Sequence, residues 1–149
     1  MILTTDKFGS ALRSRSLKAT PKRIAVHEAM LELVHGSADA VTRYINDKMG
    51  MEISAVSVYG TLSLLSDIGI YGRRLSADSK MYFDVDPEPH VHLYDTVNSE
   101  YRNIADDKIL DLVGNHFKGR RFRGYSVDGV DIKIICHPTR RGRNKLNKK

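Results

Sequence analysis

Two histidines, His90 and His92, stand one residue apart in the stretch "PHVHLYD". Residues two apart in a strand project from the same face. Both imidazoles then lie within reach of one metal ion, although half-exposed strands also carry such pairs without any ion. An imidazole pair can also ligate haem iron, so haem is a second candidate cofactor. The chain has no Cys-Pro haem signal to support it. The single cysteine, Cys136, excludes an internal disulfide framework and a four-thiolate zinc site built from one chain. A metallo-hydrolase would need an open coordination position with a general base beside it. No residue stands out as that base, so no enzyme is expected.

The second chemistry is cationic. The chain carries 24 Lys and Arg against 18 Asp and Glu, a net charge of +6. Positive charge gathers at its ends: Lys7, Arg13, Arg15, Lys18, Lys22 and Arg23 near the start, and the run "TRRGRNKLNKK" at the finish. Clustered Lys and Arg are the footprint of a phosphate binder. The terminal run also fits a disordered solubilising tail. No apolar run of about 18 residues is present, so no membrane partner is expected. The opening stretch lacks the apolar core of a signal peptide. With a lone cysteine this points to the cytoplasm.

Several elements must position these groups. "TTDKFGSALRSRS" can form a first helix. "TPKRIAVHEAMLELVHG" has Thr20 as N-cap, Pro21 at the first helical position and Gly36 after the end. "SADAVTRYINDKMG" is a capped helix between Ser37 and Gly50. "ISAVSVYGTLSLLSDIGI" is another, with Ser54 as N-cap and Val58, Leu62 and Leu65 on a buried face. "IYGRRLS" and "KMYFDVD" form a hairpin. Helices followed by a hairpin is the order of a winged helix-turn-helix, whose last helix enters the major groove. After the two-proline stretch "DPEP" come strands at "HVHLYDTV" and "EYRNI", an amphipathic helix "ADDKILDLVGNHF", and a closing strand in "GYSVDGVDIKIICHP". The expected fold class is α+β: a winged helix-turn-helix domain over 1–86, a small α/β dimerisation domain with antiparallel strands over 87–138, and a basic, disordered tail over 139–149. About fifty residues make a thin core, and pairing between two copies would supplement it.

In the same order, "SLKATPKRIAVHEAM", "HGSADAV", "ISAVSVYGTLSLLSDIGI", "YFDVDPEPHVHL" and the closing strand resemble the ferric uptake regulator family, from about residue 9 to residue 137. The resemblance implies a homodimeric repressor whose affinity for double-stranded, A·T-rich palindromic DNA is set by a bound metal. It also implies that His35 and Asp84 join His90 and His92 as metal ligands. Three imidazoles and one carboxylate suit one divalent Fe, Mn or Zn ion per chain. A further family acid falls at Asn103, an uncharged acceptor, with Glu100 nearby in sequence. Haem-responsive and metal-independent regulators of the same family are the alternatives.

Tyr59 matches the family's recognition-helix tyrosine, and Lys18 matches a basic residue sent into the minor groove. Ser54 and Ser57 lie near the N-terminal end of that helix, where N–H groups and hydroxyls favour a phosphate. Arg23 and Lys22 can grip the backbone. Gly60 departs from the Arg or Asn usual beside the tyrosine. The family's two Cys-x-x-Cys pairs are reduced here to Asp95 and Asn98, then Cys136 and Thr139. No structural zinc on cysteines is therefore expected, and the second domain must hold by packing alone. Cys136 is expected to be a buried strand residue. His27, His116 and His137 are expected to be surface or structural residues.

Overall fold

The computed structural model describes residues 1–76, 78–127 and 129–139, so the tail beyond Thr139 lies outside the described residues. The chain divides into two compact units, Met1–Glu88 and Pro89–Lys149. The fold is α+β, a winged helix-turn-helix followed by a small α/β unit. Among the described residues, no helix is long and apolar enough to cross a membrane.

The first unit opens with helix α1 (Thr5–Arg13) and helix α2 (Pro21–Leu33). Thr20 caps α2 by accepting the Arg23 N–H at 3.4 Å, and Pro21 loses nothing at a position whose N–H is unpaired anyway. Strand β1 (His35–Ser37) follows, then helix α3 (Ala38–Lys48) and helix α4 (Ala55–Asp67). Ser37 caps α3 through the Ala40 N–H at 3.3 Å, and Ser54 caps α4 through the Ser57 N–H at 3.3 Å. Asn46 ties the turn between them. Its Oδ1 accepts the Ile53 N–H at 3.0 Å, and its amide donates to the Ile53 carbonyl at 3.4 Å.

The wing is strand β2 (Gly72–Leu75) and strand β3 (Met81–Asp84). β3 lies between β1 and β2, antiparallel to both. The sequence pattern missed β1, a three-residue strand without β-prone residues that is held by its pairing to β3. The core is continuous: Phe8 and Leu12 of α1, Val26 and Met30 of α2, Val41 and Ile45 of α3, and Val58, Leu62 and Leu65 of α4 close over Phe83 and Val85. His27 belongs to this core. It stacks on Phe8 with ring centroids 3.9 Å apart, and its nitrogens meet the Tyr71 hydroxyl at 2.8 Å and the Leu3 carbonyl at 3.0 Å.

In the second unit, strand β4 (Val91–Asp95) is central, flanked by strand β5 (Glu100–Ile104) and strand β6 (Ile132–Cys136). β4 and β5 pair antiparallel, but β6 joins β4 in parallel. That sheet is mixed because helix α5 (Asp107–Phe117) lies in the connection between β5 and β6. α5 has the expected periodicity, yet none of its residues is buried, and Leu112 is 70% exposed.

Candidate functional site

β1 and β3 bring His35 and Asp84 together. They are register partners across the antiparallel ladder, and His35 Nε2 lies 3.2 Å from Asp84 Oδ2. Val34 directs the chain into β1 with φ at +61°, a left-handed conformation unusual for a β-branched residue. Its N–H donates to the Met30 carbonyl at 2.8 Å, and its own carbonyl accepts the Val85 N–H at 3.0 Å. The strained residue is thus held from both sides beside His35.

Asp84 is held from several directions. Its side chain is 0% exposed, Oδ1 accepts the Asp86 N–H at 2.9 Å, and Oδ2 lies 3.3 Å from Arg74 Nη2. Arg74 was not singled out by the sequence pattern. Ten residues separate it from Asp84, and only the β2–β3 register makes them neighbours.

The second unit gathers its own pair. His90 directly precedes β4 and His92 is its second residue, with ring centroids 4.1 Å apart. His92 is buried and its ring stands edge-on to Tyr101 at 5.9 Å. Its Nδ1 lies 3.6 Å from the carboxylate of Asp131, another residue the sequence did not mark. Asn103 is the register partner of His92, so the two share a face. Glu100 instead faces Asp95, about 10 Å along the ladder, and its carboxylate meets Arg102 at 3.6 Å.

The donors fit a metal. Bonds of about 2.0–2.1 Å place neighbouring ligands about 3.3–3.4 Å apart on a tetrahedral ion, and the 3.2 Å between His35 Nε2 and Asp84 Oδ2 is close to that spacing as well as being that of a direct imidazole–carboxylate contact. Imidazole and carboxylate together suit Fe, Mn, Co or Zn.

At the places of the missing thiolates the chain closes differently. Asp95 Oδ1 accepts the N–H groups of Val97 at 2.9 Å and Asn98 at 3.3 Å, and Oδ2 accepts the Asn98 side-chain amide at 2.8 Å. The Thr96 N–H and hydroxyl both donate to the Cys136 carbonyl, at 3.0 and 3.1 Å. Desolvation pushes the Asp95 carboxyl up, but the bonds from Asn98 and Val97 outweigh it and hold it below the usual carboxylate range. The expectation of packing alone is therefore corrected: hydrogen bonds knit this end of the sheet. Cys136 lies on a strand as expected, but half-buried rather than buried. His116 and His137 are exposed, and His27 is structural.

The face of α4 is uncharged. Tyr59 is 49% exposed, its ring edge-on to Phe83 at 6.0 Å. Val56 is more exposed still, and a side chain at Gly60 would meet open space. Ser54 caps the helix, and its hydroxyl donates to Ser57 Oγ at 3.1 Å. The cations stand beside α4: a cleft lined by Ser16, Lys18, Lys22, Arg23, Ser57 and Gly60 runs along it. Arg23 also braces the segment between α1 and α2, donating to the Lys18 carbonyl at 2.7 Å.

A winged helix-turn-helix followed by a small sheet, with candidate metal-ligating residues ending the wing and opening the sheet, is the arrangement of metal-responsive transcriptional regulators. The model of the ferric uptake regulator family matches residues 14–130, and the chain belongs to that family. It belongs with regulators rather than enzymes, and it lacks the family's structural-zinc cysteine pairs. It is 28% identical over 85 residues to the peroxide-responsive repressor PerR of Staphylococcus epidermidis, a match covering 56% of each chain. The chain thus spans about half the length of that curated relative. Its fold is similar to the Vibrio cholerae ferric uptake regulator (TM-score 0.71, 23% identity, 87% of this chain and 98% of that one). The Helicobacter pylori ferric uptake regulator is also similar (TM-score 0.70, 18% identity, 95% of each chain).

Proposed function

We propose that the protein is a cytoplasmic repressor that binds A·T-rich palindromic DNA as a homodimer when His35, Asp84, His90 and His92 hold one divalent ion. Iron, manganese and zinc all suit those donors. The observation that carries this reading is the 3.2 Å approach of His35 Nε2 to Asp84 Oδ2, close to the spacing of two ligands on one ion. A bound ion supplies a cross-link between ligands from the two ends of the "DPEP" stretch. The residues do the rest. The first turn of α4, capped by Ser54, offers its remaining N–H groups and the serine hydroxyls to a phosphate. Tyr59 presents a ring and a hydroxyl to the major groove. Lys18 and Arg23 meet the backbone and the narrow minor groove of A·T-rich DNA. A second copy covers the apolar side chains that the second unit leaves exposed, Leu112, Ile134 and Ile135 among them.

The test is fluorescence anisotropy of an A·T-rich palindromic duplex with chelator-stripped protein, titrated with Mn²⁺. Tightening of about tenfold or more, about 1.4 kcal/mol of coupling, and its loss in His90→Ala, is the expected result. Tight binding that ignores both Mn²⁺ and the substitution would favour a metal-independent regulator. The ion pair already made by Asp84 with Arg74 is the observation that favours that second reading.

A further inference from the structure

We infer that Arg74 is a built-in counter-cation that weakens carboxylate-dependent metal binding at Asp84 and biases the centre toward ions that prefer imidazole. The inference rests on the reading of His35 and Asp84 as metal ligands, and deepens it.

The geometry lies within the first unit. Arg74 Nη2 is 3.3 Å from Asp84 Oδ2, the same oxygen that His35 Nε2 meets at 3.2 Å. The other oxygen, Oδ1, takes the Asp86 N–H at 2.9 Å. The Arg74 side chain is only 14% exposed, so solvent screens the pair little. A guanidinium keeps its charge at any pH a protein survives. Asp84 is therefore compensated before any ion arrives, and an ion on Oδ2 shares that oxygen with a fixed positive charge.

The strands are built to let the guanidinium reach. Gly72 is the register partner of Asp84, and Arg74 lies two residues further along β2 on the same face. A Cβ at position 72 would sit 3.5 Å from Asp84 Cβ and 3.7 Å from Arg74 Nη2. Any longer side chain there would fill the lane along which the guanidinium lies. The neighbouring Arg73 faces the other way and pairs with Asp67 at 2.9 Å on a half-exposed surface. Of two adjacent arginines, only one is aimed at the candidate centre.

The guanidinium repels any divalent ion through space, but the loss of donor strength falls on the carboxylate and not on the imidazole nitrogens. Mn²⁺ depends on carboxylate oxygen, whereas Zn²⁺ binds well to imidazole. Arg74 therefore costs Mn²⁺ more than Zn²⁺.

The experiment compares wild type, Arg74→Gln, Arg74→Lys and His35→Ala, all full-length and chelator-stripped. Free Mn²⁺ is read by its electron paramagnetic resonance signal, and Zn²⁺ by competition with a chromophoric chelator. Arg74→Gln is expected to tighten Mn²⁺ at least tenfold and Zn²⁺ by a smaller factor, while Arg74→Lys stays near wild type. If Arg74→Gln melts below the working temperature, Arg74→Met, which keeps the stem's packing, takes its place. Mn²⁺ affinity equal to or weaker than wild type in the neutral variant overturns the inference alone, provided His35→Ala abolishes binding. Absence of binding in every protein, wild type included, overturns the metal reading and this inference with it.

Discussion

The two units solve the same problem in different ways. In the first, four helices and the wing close around Phe8, Met30, Leu62 and Phe83, and the one buried imidazole outside the candidate centre has a partner for each nitrogen. In the second, β4 is the buried strand, but α5 buries nothing, and Ile134 and Ile135 of β6 lie exposed. A core of that size rarely suffices alone. The difference separates a unit that specifies itself from one that needs another surface. The candidate ligands of each unit differ likewise: Asp84 is buried against Arg74, whereas His92 leans on Asp131, which is half-exposed.

Leu62→Ala should break the first unit, at a cost of about 2–5 kcal/mol for a large-to-small change in a closed core. A urea melt by circular dichroism measures it. Ile135→Ser should leave the fold of a single chain nearly unchanged and instead weaken self-association, read by sedimentation velocity. Equal destabilisation by both changes would remove the contrast. The candidate ligands of the second unit can be tested next. Asp131→Asn should weaken Zn²⁺ binding about 10–100-fold, as the loss of a carboxylate that orients a ligating histidine generally does, without altering the melt.

A smaller effect comes from His27. Burial lowers its pKa against a weaker opposing contribution from the Leu3 carbonyl, while burial pushes the Tyr71 phenol beside it up. The unfolded chain therefore takes up the proton first. Stability from this group is full above the unfolded value of 6.5 and is lost as pH falls from there toward the lower folded value. A melting profile against pH should show that loss, and His27→Gln should flatten it. The smallest effect is expected at Asp95, whose folded pKa is depressed. Its contribution is present above the unfolded value of 3.8 and disappears as pH falls through the folded one. Hydrogen exchange at the Val97 and Asn98 amides should speed up in Asp95→Ala and in acid, with no change in the first unit.

The helices α2, α3 and α4 were legible because each carries a cap, a stop and a periodic apolar face. The wing was legible from two β-prone runs around a turn. β1 was not, since "HGS" has no strand character and owes its conformation to β3. The periodicity of α5 announced an apolar face but not what covers it. His90 and His92 declared themselves by spacing, and His35 and Asp84 only through the family pattern. Arg74 and Asp131 were invisible because register, not sequence separation, brings them to their partners. The Asp95–Asn98 turn was likewise hidden behind the absence of cysteines, where the side chains present make their own closure.

The uncharged face of α4 also fixes how binding would respond to ionic strength. Each phosphate neutralised by a cation releases counterions and adds to the salt slope, whereas apolar and hydroxyl contacts to base edges add almost nothing. No Lys or Arg occurs in Ala55–Asp67, and the cations sit instead at Lys18, just before α2, and at Lys22 and Arg23 in its first turn. If α4 reads the operator as proposed, added salt would therefore loosen operator and random DNA by similar factors, and the ratio between them would hold nearly constant.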